Sequence, residues 1–309
     1  MRAIKFVIMV LLLSGLGVKG FCVDVISNPS IDFGTANFLY GETGFNVISV
    51  SDAGAVTTSG SGNIISQNGG SAGTVTFGDF SWLETLLSTL YIETKSGPWT
   101  ISTSECGEIQ ISDITTTNGA TSTSKKISGS SLSFPIGAVL TLNSFTGSSA
   151  CYIQGTVPDG ITYRKLTTSA TNVPLSVKVY VIPAMAIDHN TGASLNFGTV
   201  CSGTIQQALT IAPNGTTSGT TICPTQNTSA DAFTVRGNIG QSFSVNLPNT
   251  ATISNGSNDL TVSNFTSSCS GNCILTENTY SLNVGGTLTI PVGTPLGTYQ
   301  GNYQVSITY

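Results

Sequence analysis

Charged side chains are scarce in this chain: ten Lys and Arg and fifteen Asp and Glu among 309 residues, 8% in all. The longest basic run is Lys125-Lys126, read as part of a solvated loop, and the pI lies near 4.7. Nucleic-acid phosphates need clustered basic residues, so a nucleic-acid partner is excluded. There is one histidine, His189. Nucleophilic catalysis by Ser or Cys wants a base beside it. His189 sits in a polar stretch, where a solvated imidazole is the simpler account. Asp79, Glu84, Glu93, Glu105 and Glu108 fall in one region, but no spacing among them fixes the facing pair that glycosidase chemistry needs. Cys269-Ser-Gly-Asn-Cys273 has the look of half a zinc site, with no second cysteine cluster to complete it. The reading is of a non-enzymatic protein with no metal and no cofactor.

Long hydrophobic runs are also missing, apart from Phe6 to Val18, 13 residues. That stretch is too short to span a bilayer comfortably. Arg2 and Lys5 precede it and small residues flank Gly20 and Cys22, the arrangement of a cleaved secretory signal over residues 1–22. Lys19-Gly20-Phe21 before Cys22 is a poor lipobox, and an uncleaved anchor is the alternative. Cleavage near Gly20 removes three basic residues and leaves seven against fifteen acids, a net charge of −8. The expected destination is the periplasm, the cell surface or the medium.

What is abundant is Gly, Ser, Thr, Asn and β-branched residues, which suits solvated sheets joined by tight turns. Cys106, Cys151, Cys201, Cys223, Cys269 and Cys273 form an even set, and in an exported chain such a set suggests disulfides. Six cysteines allow fifteen connectivities; proximity favours 106–151, 201–223 and 269–273. A bridge closing about 20 residues is worth on the order of 3 kcal/mol.

The clearest strand signal is Thr298 to Tyr309, TYQGNYQVSITY. Tyr299, Gly301, Tyr303, Val305, Ile307 and Tyr309 alternate with Gln300, Asn302, Gln304, Ser306 and Thr308. That is the period of a strand with one face buried and one in water. A chain stopping there is expected to need this strand to close its sheet. Val173 to Val181 repeats the pattern. Asp32-Phe-Gly-Thr35 and Asn196-Phe-Gly-Thr199 repeat one motif 164 residues apart. Each is followed by a polar Gly-bearing segment (Val50 to Ser61, Leu209 to Gly219) and then a strand after a Ser-Ala pair (Ser71 to Phe77, Ser229 to Val235). Tandem domains are the economical reading: 23–182, a linker at 183–188 marked by Pro183, and 189–309. Phe243 to Leu247, Leu260 to Phe265 and Ser281 to Ile290 read as further strands, with a turn or bulge at Gly285-Gly286. Many short strands about 8–12 residues apart indicate a β-sandwich or a Greek-key barrel.

The first domain has an addition. Phe77 to Trp99 holds both tryptophans, Trp82 and Trp99, with Tyr91. Ser81 with Glu84 three residues later is a capping box, and Trp82, Leu83, Leu86, Leu87 and Leu90 recur at helical spacing. A short helix plugging the sandwich is expected. A pair of buried strands is the alternative, as is an exposed aromatic surface in which Trp82, Tyr91 and Trp99 bind a glycan or an apolar partner.

Asn196 to Thr199, Gly285-Gly-Thr-Leu288 and the C-terminal GTYQGNYQVSITY resemble a family of exported bacterial domains of unknown function. That family is itself similar to the spore-coat-protein-U and pilin domains of chaperone–usher fimbriae. The resemblance covers 187–309 well and 24–182 loosely. It implies two tandem immunoglobulin-like (pilin-like) sandwiches, all-β. It implies a non-enzymatic structural or adhesive protein of a bacterial envelope, of the kind found as a two-domain fimbrial tip subunit. The partners would be a periplasmic chaperone, an usher and fimbrial subunits, joined by strand exchange. Tyr299, Tyr303, Val305, Ile307 and Tyr309 would form the chaperone or assembly strand, with Tyr309 as the terminal aromatic. Val23 to Ile31 alternates poorly and offers no donor extension. A stand-alone secreted carbohydrate-binding protein is the alternative.

Overall fold

In a computed structural model, the described residues are 23–165, 169–221, 223 and 226–309; for Trp82, Leu83 and Leu87 the description covers the backbone alone. The expected signal segment, 1–22, lies outside them. Among the described residues the chain is all-β with one short helix. Contacts divide it into two units. Unit 1 comprises residues up to Asn37, Thr43–Phe145 and Cys151–Ile182; unit 2 comprises Phe38–Glu42, Thr146–Ala150 and Pro183–Tyr309.

Unit 1 holds β1 (Asp24–Ser27), β2 (Ser30–Phe38), β3 (Phe45–Val50), β4 (Val56–Asn68), β5 (Gly73–Gly78), α1 (Trp82–Leu87), β6 (Thr89–Thr94), β7 (Trp99–Thr103), β8 (Gly107–Thr116), β9 (Ser122–Lys126), β10 (Ser131–Phe145), β11 (Cys151–Lys165) and β12 (Thr171–Pro183). They form one 12-stranded sheet, ordered β1-β5-β10-β3-β4-β2-β12-β11-β6-β9, with β8 on β10 and β7 on β8. The expected alternation in β12 is met: Val173, Leu175, Val177, Val179 and Val181 are buried and their neighbours face out. Phe33, Phe77 and Phe134 are fully buried at the centre. Full burial of such rings stabilises by about 1.5–3 kcal/mol each.

Helix α1 is short because its signals are local. Ser81 accepts from the Glu84 N–H, and the Glu84 carboxylate takes the Ser81 N–H, closing the capping box. Leu90, counted with the helix by its spacing, belongs to β6 and is fully buried there. Ser88 leaves the helix in an extended conformation, and β6 starts at the next residue. Lys125 and Lys126, expected in a loop, end β9; Lys125 lies over the Phe134 ring, 4.7 Å from its centroid. Residues 56–61, expected as a polar connection, begin β4, because their exposed face tolerates polar residues.

Unit 2 holds β13 (Ala186–His189), β14 (Gln207–Ile211), β15 (Thr217–Thr220), β16 (Asp231–Arg236), β17 (Ser242–Asn246), β18 (Thr250–Ser254), β19 (Asp259–Ser267), β20 (Asn272–Ile274), β21 (Thr279–Ile290) and β22 (Ser306–Thr308). One sheet runs β13-β16-β21-β14-β15, with β19 on β21 and β18 on β19; a second is β20-β17-β22. The stretch read as a linker is therefore partly strand: β13 pairs with β16, and Arg236 Nε donates to Asp188 at 2.7 Å. Gly285-Gly286 lie inside β21, which runs unbroken; the bulge is in the facing strand, between Ser263 and Thr266. Disulfides join Cys106 to Cys151, Cys201 to Cys223 and Cys269 to Cys273. Among the described residues no helix is long and apolar enough to cross a membrane.

Candidate functional site

The expected twelve-residue final strand is only partly a strand. Ser306–Thr308 pair with β17, and Gln300 makes a lone bridge to Ser254. Residues 301–305 form no ladder. Between that bridge and β17, whose last residue is Asn246, the segment passes β18, which starts at Thr250, and makes no ladder with either. The alternation survives without it. Tyr299, Tyr303, Val305 and Ile307 are half-buried and pack against the two apolar clusters of the unit; Tyr309 is 63% exposed. Gly301 is pressed against the β18 backbone, where a Cβ would fall 2.2 Å from the Thr252 carbonyl oxygen.

Beside this segment lies an open groove of about 1010 Å³. One wall is 297–305, the other is 193–200, and the floor includes Phe233, Val262 and Phe265. Ala193, Leu195 and Phe197 alternate inward along the second wall. Members of both apolar clusters of the unit line it: Phe233 and Tyr303 from one, Phe197 and Leu288 from the other, with Phe265 packed against both. Walls on which apolar residues alternate with polar ones, beside a ladderless stretch of backbone, make a template for an added strand.

One polar group is set into this groove. The Asp231 carboxylate, its side chain 5% exposed, accepts from the Tyr303 hydroxyl at 2.7 Å, from His189 Nε2–H at 2.8 Å and from the Ala232 N–H at 2.9 Å. His189 is thus not simply solvated: it packs on Phe233 with ring centroids 5.0 Å apart, while half its side chain remains exposed. Asp231 escapes a motif search, yet the strand carries a signal. It shares the inward parity of Phe233 and Val235 in β16, and an acid on the apolar parity of a strand needs partners.

Burial, then the hydrogen bond to Asp231 and its charge, push the Tyr303 hydroxyl well above its ordinary value of 10.0. A raised acid favours the fold while the group is neutral in both states, so this stability is complete below pH 10. It is lost as pH rises further, because the unfolded phenol ionises first. Tyr303→Phe should cost about 1.5–3 kcal/mol at neutral pH, as a hydrogen bond to a charged group. It should also remove part of the alkaline decline. Urea unfolding of both proteins at pH 7 and above pH 10 measures both effects.

The three aromatic candidates lie on different elements of unit 1. Trp82 begins α1, and its side chain lies outside the described residues. Tyr91 in β6 is capped by the Arg164 guanidinium, 4.8 Å from the ring centroid. Trp99 in β7 donates from Nε1 to Asp159 at 2.9 Å and is half-buried. Lys95 and then Trp99 hold the Asp159 carboxyl below the usual range. Of the acids considered for catalysis, Glu84 pairs with Lys165, Glu93 with Arg164, and Glu108 accepts from Asn143. Among the described residues no three His, Cys, Asp or Glu side chains converge as metal ligands.

No curated protein matches the chain. Among solved structures it is similar to one titled as the CsuC–CsuE chaperone–tip adhesion subunit pre-assembly complex from archaic chaperone–usher Csu pili of Acinetobacter baumannii. The identity is 14% and the TM-score 0.39, covering 93% of this chain and 100% of that one. The stretch that carries the groove, residues 187–309, matches the family model described as a domain of unknown function, DUF4402.

Proposed function

We propose that this is an exported, non-enzymatic structural or adhesive protein of a bacterial envelope, and that unit 2 takes up a β-strand from another chain. On this reading residues 1–22 are a cleaved signal. The two units are tandem immunoglobulin-like, pilin-like sandwiches, with the domain limits read from the sequence. The partners are a periplasmic chaperone, an usher and further fimbrial subunits, and the chain acts as a tip-like subunit. Tyr299, Tyr303, Val305 and Ile307 are the assembly strand, and Tyr309 is its exposed terminal aromatic.

The observation that carries this reading is the ladderless stretch 301–305 along a groove whose walls carry alternating apolar residues. An added strand gains backbone hydrogen bonds along that edge and buries alternate side chains against the two apolar clusters. An exposed edge of this kind is an aggregation risk if left open, so the groove is expected to be filled in the working protein.

The test uses residues 23–309, secreted into an oxidising compartment and purified without partners. Mass in solution and thermal unfolding are recorded with and without a peptide of alternating valine and threonine. The expected result is self-association of the chain alone, or a unit 2 transition that rises with peptide. A peptide at 100 times its dissociation constant should add about 2.7 kcal/mol. A monomer with a sharp transition that no strand peptide moves would overturn the reading.

A further inference from the structure

Resting on the groove as a strand site, we propose that its occupant presents a cationic residue, lysine or arginine, at the position that passes over Asp231. Among the residues lining the groove, Asp231 is the one carboxylate, and there is no lysine or arginine. Its carboxylate is buried and held by the Tyr303 hydroxyl, the Ala232 N–H and the His189 ring. Oδ1 accepts two hydrogen bonds, from His189 and Ala232, whereas Oδ2 accepts one, from Tyr303. One strong acceptor site is left on Oδ2.

In the open groove, water reaches the half-exposed His189 beside this carboxylate. A strand lying in the groove removes that water. An apolar side chain over Asp231 would desolvate the carboxylate and give Oδ2 no new partner, which is costly. A lysine or arginine there brings a charge-assisted hydrogen bond to the vacant lone pair of Oδ2. Its aliphatic stem still packs against the apolar residues of the walls, as long basic side chains do. The polar spot therefore sets the register. A strand slipped by one residue turns its cation to the solvent face.

The test uses the valine–threonine peptide and a set in which each valine in turn becomes lysine or glutamate. Binding to the full chain is read by isothermal titration. One lysine position should bind roughly tenfold tighter than the parent peptide, and glutamate there should bind weakest. Asp231→Asn should bring that lysine peptide to within about twofold of the parent. His189→Gln, which keeps a donor to Asp231 but cannot become a cation, should retain the preference. Unfolding of each variant is recorded alongside. If Asp231→Asn does not fold, the His189→Gln protein and the glutamate series still decide. Parent peptide binding with no preferred lysine position overturns the inference and leaves the groove reading standing. Loss of the preference in His189→Gln overturns it too. Failure of every peptide to bind overturns the groove reading itself.

Discussion

Replacing Glu84 with alanine should destabilise unit 1 by about 3–5 kcal/mol. The carboxylate is 1% exposed and pairs with Lys165 Nζ, whose side chain is 9% exposed. It also takes the Ser81 N–H at 2.8 Å and the Ser81 hydroxyl at 2.9 Å. Truncation breaks the capping box and leaves a buried ammonium without its carboxylate. Lys165→Met should cost a similar amount, since the stranded charge is then the carboxylate. The double variant Glu84→Leu with Lys165→Met should recover most of the loss, because an apolar pair of similar volume can match a buried ion pair. Both tryptophans lie in unit 1, so tryptophan emission during urea unfolding follows this unit. Acid supplies a second readout. Burial pushes the Glu84 carboxyl up, but Lys165 and the Ser81 N–H and hydroxyl outweigh burial and hold it below 4.5. A depressed carboxyl adds stability above its unfolded value, and that stability is lost as pH falls through the folded one. The wild-type protein should therefore lose unit 1 stability below about pH 4.5 more steeply than Glu84→Gln does.

This pair also marks where the sequence is legible. The capping box could be read because Ser81 and Glu84 are three residues apart, and its geometry is local. Lys165 lies 81 residues away; only the fold brings it to the helix. The same division holds elsewhere. Strand parity in β12 is local and agrees with the observed burial. The final stretch has equally clear parity, yet 301–305 have no ladder, because a ladder needs a partner strand in register, and parity does not report one. Parity tells which face is apolar, and it is silent on whether an edge is filled. The groove was thus out of reach, although each residue of its wall was visible. Aromatic character likewise does not report exposure, and the partners of Tyr91 and Trp99 follow from no local pattern. Arg164 and Asp159, which occupy them, come from 73 and 60 residues downstream.

Gly198→Ala should cost roughly 2–5 kcal/mol, and the repeated motif explains why. In the second copy Asn196 Oδ1 accepts the Gly198 N–H at 2.8 Å, and Asn196 bridges to Ser229. In the first copy Asp32 Oδ1 accepts the Gly34 N–H at 2.8 Å, and Asp32 bridges to Ser71. The glycines adopt φ of 66° and 79°, and the Phe before each is buried. The motif is thus a turn held by its own acid or amide side chain, with the ring as its anchor. Two costs add at Gly198. Left-handed backbone costs a non-glycine residue about 1–2 kcal/mol. A Cβ would also fall 1.8 Å from the Gln226 carbonyl oxygen. Backbone cannot rotate away as a side chain can, and overpacking of this kind costs about 1–3 kcal/mol more. Gly192→Ala separates the two terms: φ is 79° there, with nothing within 4 Å of the added methyl, so only the left-handed cost of about 1–2 kcal/mol applies. Urea unfolding of both variants, followed by the tyrosine signal of unit 2, should rank Gly198→Ala well below Gly192→Ala. Equal losses would mean that the contact with residue 226 yields freely, and that the glycine of the motif is there for its backbone angle alone.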